Sequence, residues 1–267
     1  MTIKQVAFFG DSYCYDSIQN KHSNCYRTGE ETYIDKLSVP CVHFGLPGHG
    51  PNTTITQLRV WLENNQGDYR PPSWGKDLGY NVEETMFVFC WSDISRDRVL
   101  ADPGRTACDS DLEDWKNFKH VEIMRDCVPN NEVALMGSDA PMVDEIREHY
   151  PKYAEAIELW WLYLRNEKQY LRNWETIKLA FKYLIQEYNV QNYAEFICFE
   201  PLAKYEEFKF DFIFDDKAWR CLYQFAQSRP DYGVQGVDDL KYFNHFSPQG
   251  HNDMARYLNE VIRKKCE

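Results

Sequence analysis

The chain predicts an α/β fold built on a parallel sheet, and three observations carry that expectation. Four largely apolar runs, Val6-Ala7-Phe8-Phe9, Cys41-Val42-His43-Phe44, Met86-Phe87-Val88-Phe89-Cys90 and Phe196-Ile197-Cys198-Phe199, read as strands buried on both faces. Segments of helical periodicity alternate with them, which points to a parallel sheet with helices on both faces. Each run ends in a loop, beginning with Gly10-Asp11-Ser12 after the first, and parallel strands would open those loops at one edge, where open α/β sheets put their ligands. With 267 residues the chain is long enough for a sizeable core, and a single domain over residues 1–267 is expected.

Taken in order, the first strand stops at Gly10 and a polar stretch runs to Glu31. Residues 33–37 carry a short helical pattern that Pro40 stops. The second strand leads into Gly45-Leu46-Pro47-Gly48-His49-Gly50-Pro51, after which Asn52 or Thr53 can cap a helix with Ile55, Leu58, Val60 and Leu62 on its inner side. Residues 65–84 are polar and turn-rich, and the third strand then passes into Trp91-Ser92-Asp93-Ile94-Ser95-Arg96. From about residue 97 to 150 the pattern dissolves into charged and turn residues, as in a lid or substrate-binding insertion. Residues 152–188 are strongly helical, with Ile157, Trp160, Trp161, Leu164, Leu171, Trp174, Ile177, Phe181 and Leu184 recurring every three to four positions as a core-packing stripe. The fourth strand ends at Glu200-Pro201, and residues 205–231 are mixed aromatic and acidic without a readable pattern. The last helix is the clearest: Ser247 as N-cap, Pro248 at the first position, Met254, Ala255, Leu258, Val261 and Ile262 on one face, and Arg263, Lys264 and Lys265 at the C-terminal end of the dipole.

Composition narrows the function classes. A net charge of −12 without a basic stripe argues against nucleic acid or an anionic membrane as the main partner. Nine scattered cysteines, never spaced as C-x-x-C, indicate neither a zinc knuckle nor a redox pair, and read as reduced thiols of a cytoplasmic protein. No signal peptide and no apolar run of membrane-spanning length is expected. The aromatic content of 16% is better explained by a bulky core than by a sugar-binding groove.

Ser12, Gly48, Ser92 and His245 can converge at one crevice, and acyl transfer needs these types: a hydroxyl nucleophile, an imidazole base and N–H donors for an oxyanion. Asp11 reads as a loop-organising acceptor and His251 as a helix-face residue. His43 and His49 match no metal-ligand spacing, and no metal or cofactor is expected.

On Phe9-Gly10-Asp11-Ser12, Gly45-Leu46-Pro47-Gly48 and His245-Phe246-Ser247-Pro248-Gln249-Gly250-His251, in that order, the chain resembles the SGNH, or GDSL-type, hydrolases. The resemblance implies a flavodoxin-like three-layer α/β/α fold with a parallel sheet of about five strands. It also implies a serine-esterase mechanism in which Ser12 is the nucleophile, His245 the base, and the N–H groups of Ser12 and Gly48 the oxyanion donors. Two positions depart from the family pattern. Ser92 stands where an Asn side chain normally donates to the oxyanion, and Tyr242 where the acid of the triad normally sits. Losing such a donor costs about 10²–10³ in turnover, and losing a triad acid about 10⁴. Ser92 could donate over a shorter reach, and Asp238 or Asp239 could orient His245 from a shifted loop; of the two, Asp239 is taken as the triad acid. A backbone carbonyl, Asn244 or Asp93 are further candidates. The motif variants also look like bacteriophage-encoded members, which would make a cell-surface polysaccharide ester the substrate and a virion-associated location the alternative to the cytoplasm. The expected substrate is thus a small-molecule or carbohydrate ester. The rival expectation is a catalytically degraded SGNH domain kept as a carbohydrate-binding or virion-associated interaction module.

Overall fold

A computed structural model describes residues 2–14, 31–45, 50–64, 81–94, 97–100, 132–135, 155, 167–199, 213–214, 217–229 and 246–266. Among them the fold is α/β around a parallel sheet of four strands: β1 (Gln5–Gly10), β2 (Cys41–His43), β3 (Thr85–Trp91) and β6 (Tyr193–Ile197), ordered β2-β1-β3-β6. Val6 pairs with Cys41 on one side of β1 and with Met86 on the other, and Phe87 pairs with Tyr193 across β3 and β6. Every residue of β1 and β3 is buried, which is why each strand shows an unbroken apolar run after its polar first residue, Gln5 or Thr85. The strand β6 begins three residues before the expected run, because Tyr193, Ala194 and Glu195 are only partly covered and carry no apolar signal.

Alternate residues of β1 feed two hydrophobic clusters. Val6 and Phe8 join Met254, Ala255, Leu258 and Ile262 of the last helix, α4 (Pro248–Cys266). Ala7 and Phe9 join Leu58, Trp61 and Leu62 of α1 (Pro51–Asn64) and Trp174, Ile177, Phe181 and Leu184 of α2 (Glu167–Glu187). Strand alternation therefore sends successive side chains to different helices. Among the described residues, aromatic side chains carry much of this packing: Phe9 stacks on Phe44 at 4.9 Å, Phe89 meets Phe181 edge-on at 4.9 Å, and Trp91 meets Trp174 at 5.3 Å.

Local chemistry sets the helix ends. In α4 the Gly250 N–H donates to Ser247 Oγ at 3.2 Å, the expected N-cap. Ser247→Ala should cost about 1 kcal/mol in chemical denaturation, as removal of a helix cap does. Helix α1 starts at Pro51, ahead of the expected caps Asn52 and Thr53, with Gly50 O accepting from Thr53 N. Residues 33–36 form a turn in place of the expected short helix, with Thr32 N–H and Oγ–H both donating to Asp35 Oδ2 at its start.

Two features fall where no pattern is readable in the sequence. An antiparallel ribbon pairs β4 (Asp97–Leu100) with β5 (Glu132–Leu135), inside the expected insertion whose other residues lie outside the described ones. In the aromatic and acidic segment, a two-residue ribbon, β7 (Ile213–Phe214) with β8 (Lys217–Ala218), precedes the short helix α3 (Leu222–Gln227). Of the helical stripe, Ile157, Trp160, Trp161 and Leu164 lie outside the described residues. No helix among the described residues is long and apolar enough to cross a membrane.

Candidate active site

The parallel strands deliver four chain segments to one sheet edge: Asp11 to Cys14 after β1, Phe44 and Gly45 after β2, Ser92 to Ile94 after β3, and Cys198 and Phe199 after β6. Ser12 opens a 3-10 turn, Ser12–Cys14, directly beyond the first strand. That turn is closed by Cys14 N–H donating to Asp11 O at 2.9 Å. Gly45 is pressed onto it, since a Cβ on Gly45 would lie 2.4 Å from Cys14 C and 2.6 Å from Asp11 O. The first and second loops of the resemblance are therefore in backbone contact, and only glycine fits at the point where they touch.

Asp11 is the hub of this edge. It is fully buried; Oδ1 accepts from Tyr13 N–H at 3.0 Å and from the Cys198 thiol at 3.4 Å, and Oδ2 accepts from Ser92 Oγ–H at 2.8 Å. One carboxylate thus ties the ends of β1, β3 and β6 together. These bonds show how Asp11 performs the loop-organising role its residue type suggests. Burial pushes the Cys198 thiol well above its ordinary range, reinforced by a hydrogen bond with Cys90, so the thiol keeps the proton it donates. Cys14 is pushed up by the same cause. The sequence gives no sign of Cys198 as a partner of Asp11, because it reads as part of the fourth strand, which in the structure ends one residue earlier, at Ile197.

Ser92 is also fully buried. The hydroxyl considered as an oxyanion donor donates its hydrogen bond to Asp11 Oδ2 in this structure. Asp93 beside it is partly exposed.

The last helix reaches the same edge through its first residues. Phe246 is buried in a cluster of rings, 5.2 Å from Tyr13, 5.6 Å from Tyr33 and 5.8 Å from Phe225. Tyr33 Oη–H donates to Tyr13 O at 2.6 Å, and Tyr33 N–H donates to His251 Nδ1 at 3.2 Å. His251 thus lies on the buried face of the last helix, where it was expected, and ties it to the Tyr33 backbone. Tyr13 follows Ser12 and Phe246 follows His245, so the chain positions next to the two expected reacting residues are in ring contact. Gly48, His245 and Asp239 themselves lie outside the described residues, as do Asp238, Tyr242, Asn244 and His49.

The chain matches no family model, no curated protein and no solved structure.

The chemistry of the edge follows from its own geometry. A backbone N–H, a hydroxyl and a thiol converge on one buried carboxylate and fix the backbone on either side of Ser12. Such an arrangement orders a turn and its N–H groups.

Proposed function

We propose that the protein is a serine hydrolase of the SGNH type, an esterase or deacetylase acting on an ester of a small molecule or an acylated carbohydrate. The sheet is completed in this reading to a flavodoxin-like three-layer arrangement of about five strands. Ser12 Oγ attacks the ester carbonyl carbon while His245 takes its proton, and Asp239 orients the imidazole. The N–H groups of Ser12 and Gly48 hold the oxyanion. Collapse of the tetrahedral intermediate releases the alcohol, which leaves with the proton from His245, and water then hydrolyses the acyl-enzyme by the same steps in reverse. No cofactor takes part, and the protein works in the cytoplasm.

The observation that carries this reading is the 5.2 Å contact between the rings of Tyr13 and Phe246. It joins two segments from opposite ends of the chain, each one residue from a required group. Because Ser92 Oγ–H is engaged by Asp11, the oxyanion is assigned to backbone donors, and turnover is expected to be slow by one missing donor, about 10²–10³-fold. The same engagement favours the second reading, a degraded domain that binds a carbohydrate or a virion component. A panel of acetylated sugars and short-chain nitrophenyl esters discriminates the two. Release of acid by the wild type and none by Ser12→Ala supports the hydrolase, whereas retention of an acetylated glycan without release supports the binding module.

A further inference from the structure

We propose that Ser92 is a positioning residue, which together with Asp11 clamps the Ser12 turn to the end of the third strand, and that its hydroxyl does not reach the reacting oxygen. This rests on the hydrolase reading and deepens it. A hydroxyl has one proton, and that of Ser92 lies on Asp11 Oδ2 at 2.8 Å with both residues fully buried. To donate to an oxyanion it would have to leave an acceptor that is fully buried with it, where an unmade hydrogen bond is costly. The second oxygen of the same carboxylate holds Tyr13 N–H, one residue past Ser12, at 3.0 Å. The influence of Ser92 therefore arrives at Ser12 through Asp11. The Cys198 thiol braces the carboxylate from the end of β6, and Gly45 closes over the turn from the end of β2.

The clamp makes the effects of Asp11 and Ser92 one effect. Asp11→Ala, Ser92→Ala and the double variant are compared by the rate of labelling with a fluorophosphonate probe and by hydrogen–deuterium exchange at the Tyr13 amide. Ser92→Ala should slow labelling roughly tenfold, an ordinary coupling between neighbours. It should also speed exchange at Tyr13, with the amides of α4 unchanged. In the Asp11→Ala background it should add nothing to either. Multiplying effects in the double variant, or slower labelling with Tyr13 exchange unchanged, would overturn the clamp and make Ser92 a direct donor. If the alanine variants do not fold, Asp11→Asn replaces them, because its amide oxygen can keep Tyr13 N–H while its NH₂ donates to Ser92 Oγ. The clamp predicts labelling and Tyr13 exchange close to the wild type for Asp11→Asn, because both links to the turn are kept, whereas a direct donor predicts faster labelling, because the Ser92 proton is freed. A wild type that takes no label contradicts the hydrolase reading alone; the exchange at Tyr13 still reads the clamp.

Discussion

Replacing Gly10 by alanine is expected to destabilise the protein by about 3–5 kcal/mol, the range of strained and overpacked core positions. Gly10 has φ +152°, a backbone region that side chains rarely enter, and an added Cβ would lie 2.3 Å from Cys90 O and 3.0 Å from Cys90 Cβ. Those atoms belong to the paired central strand β3, Gly10 standing in register with Cys90, so neither can step aside. For a chain of this size the loss corresponds to a fall in Tm on the order of 10 °C, measurable by calorimetry. A fall of only one or two degrees would mean that β1 and β3 are not packed as described. The glycine before Asp11 and Ser12 is thus required by the sheet, whatever chemistry follows it.

The second large effect is a loss of stability in acid through His43. This imidazole is buried in β2, and neither ring nitrogen has a hydrogen-bond partner among the described residues. Burial lowers its pKa from 6.5 to about 4, against a smaller opposing pull from Asp35. Below pH 6.5 the unfolded chain takes a proton that the folded chain refuses until about pH 4. The stability held by neutral His43 is therefore complete above pH 6.5 and falls as the pH drops through that window. The loss reaches about 3 kcal/mol at pH 4, since each tenfold difference in proton affinity between the two states is worth about 1.4 kcal/mol. Denaturant unfolding of wild type and His43→Leu at pH 7.5 and pH 4 isolates it: the variant should lose less on acidification by that amount. Equal losses in the two proteins would exclude His43 as the source.

The parts of the fold that could be read from the sequence are those whose signal is local. Burial on both faces makes β1 and β3 apolar beyond their first residues, Gln5 and Thr85, and Ser247-Pro248 marks the start of α4 by cap chemistry. The stripe of Trp174, Ile177, Phe181 and Leu184 is core, as its spacing predicts. The pairing of β4 with β5 was not legible, because each strand is four residues long and its partner is distant in sequence. Helix α3 was not legible either, being six residues long within an aromatic segment that fits strand or helix equally. In the candidate site, the loop-organising role of Asp11 could be read from its residue type in a strand-end turn. Its partners Ser92 and Cys198 could not, since the bonds that join them span 81 and 187 positions and exist only once the sheet has formed. The departure at Ser92 was visible in sequence, but the direction of its hydroxyl required the structure.

Ser12 in its turn and His245, the residue before Phe246, are proposed to form a reacting pair. This pairing is tested most directly by treating the folded protein with a fluorophosphonate probe and mapping the adduct by mass spectrometry, beside Ser12→Ala and His245→Ala. One adduct is expected, on Ser12, lost in both variants. An adduct elsewhere, or labelling of Ser12 that persists in His245→Ala, would contradict the pairing.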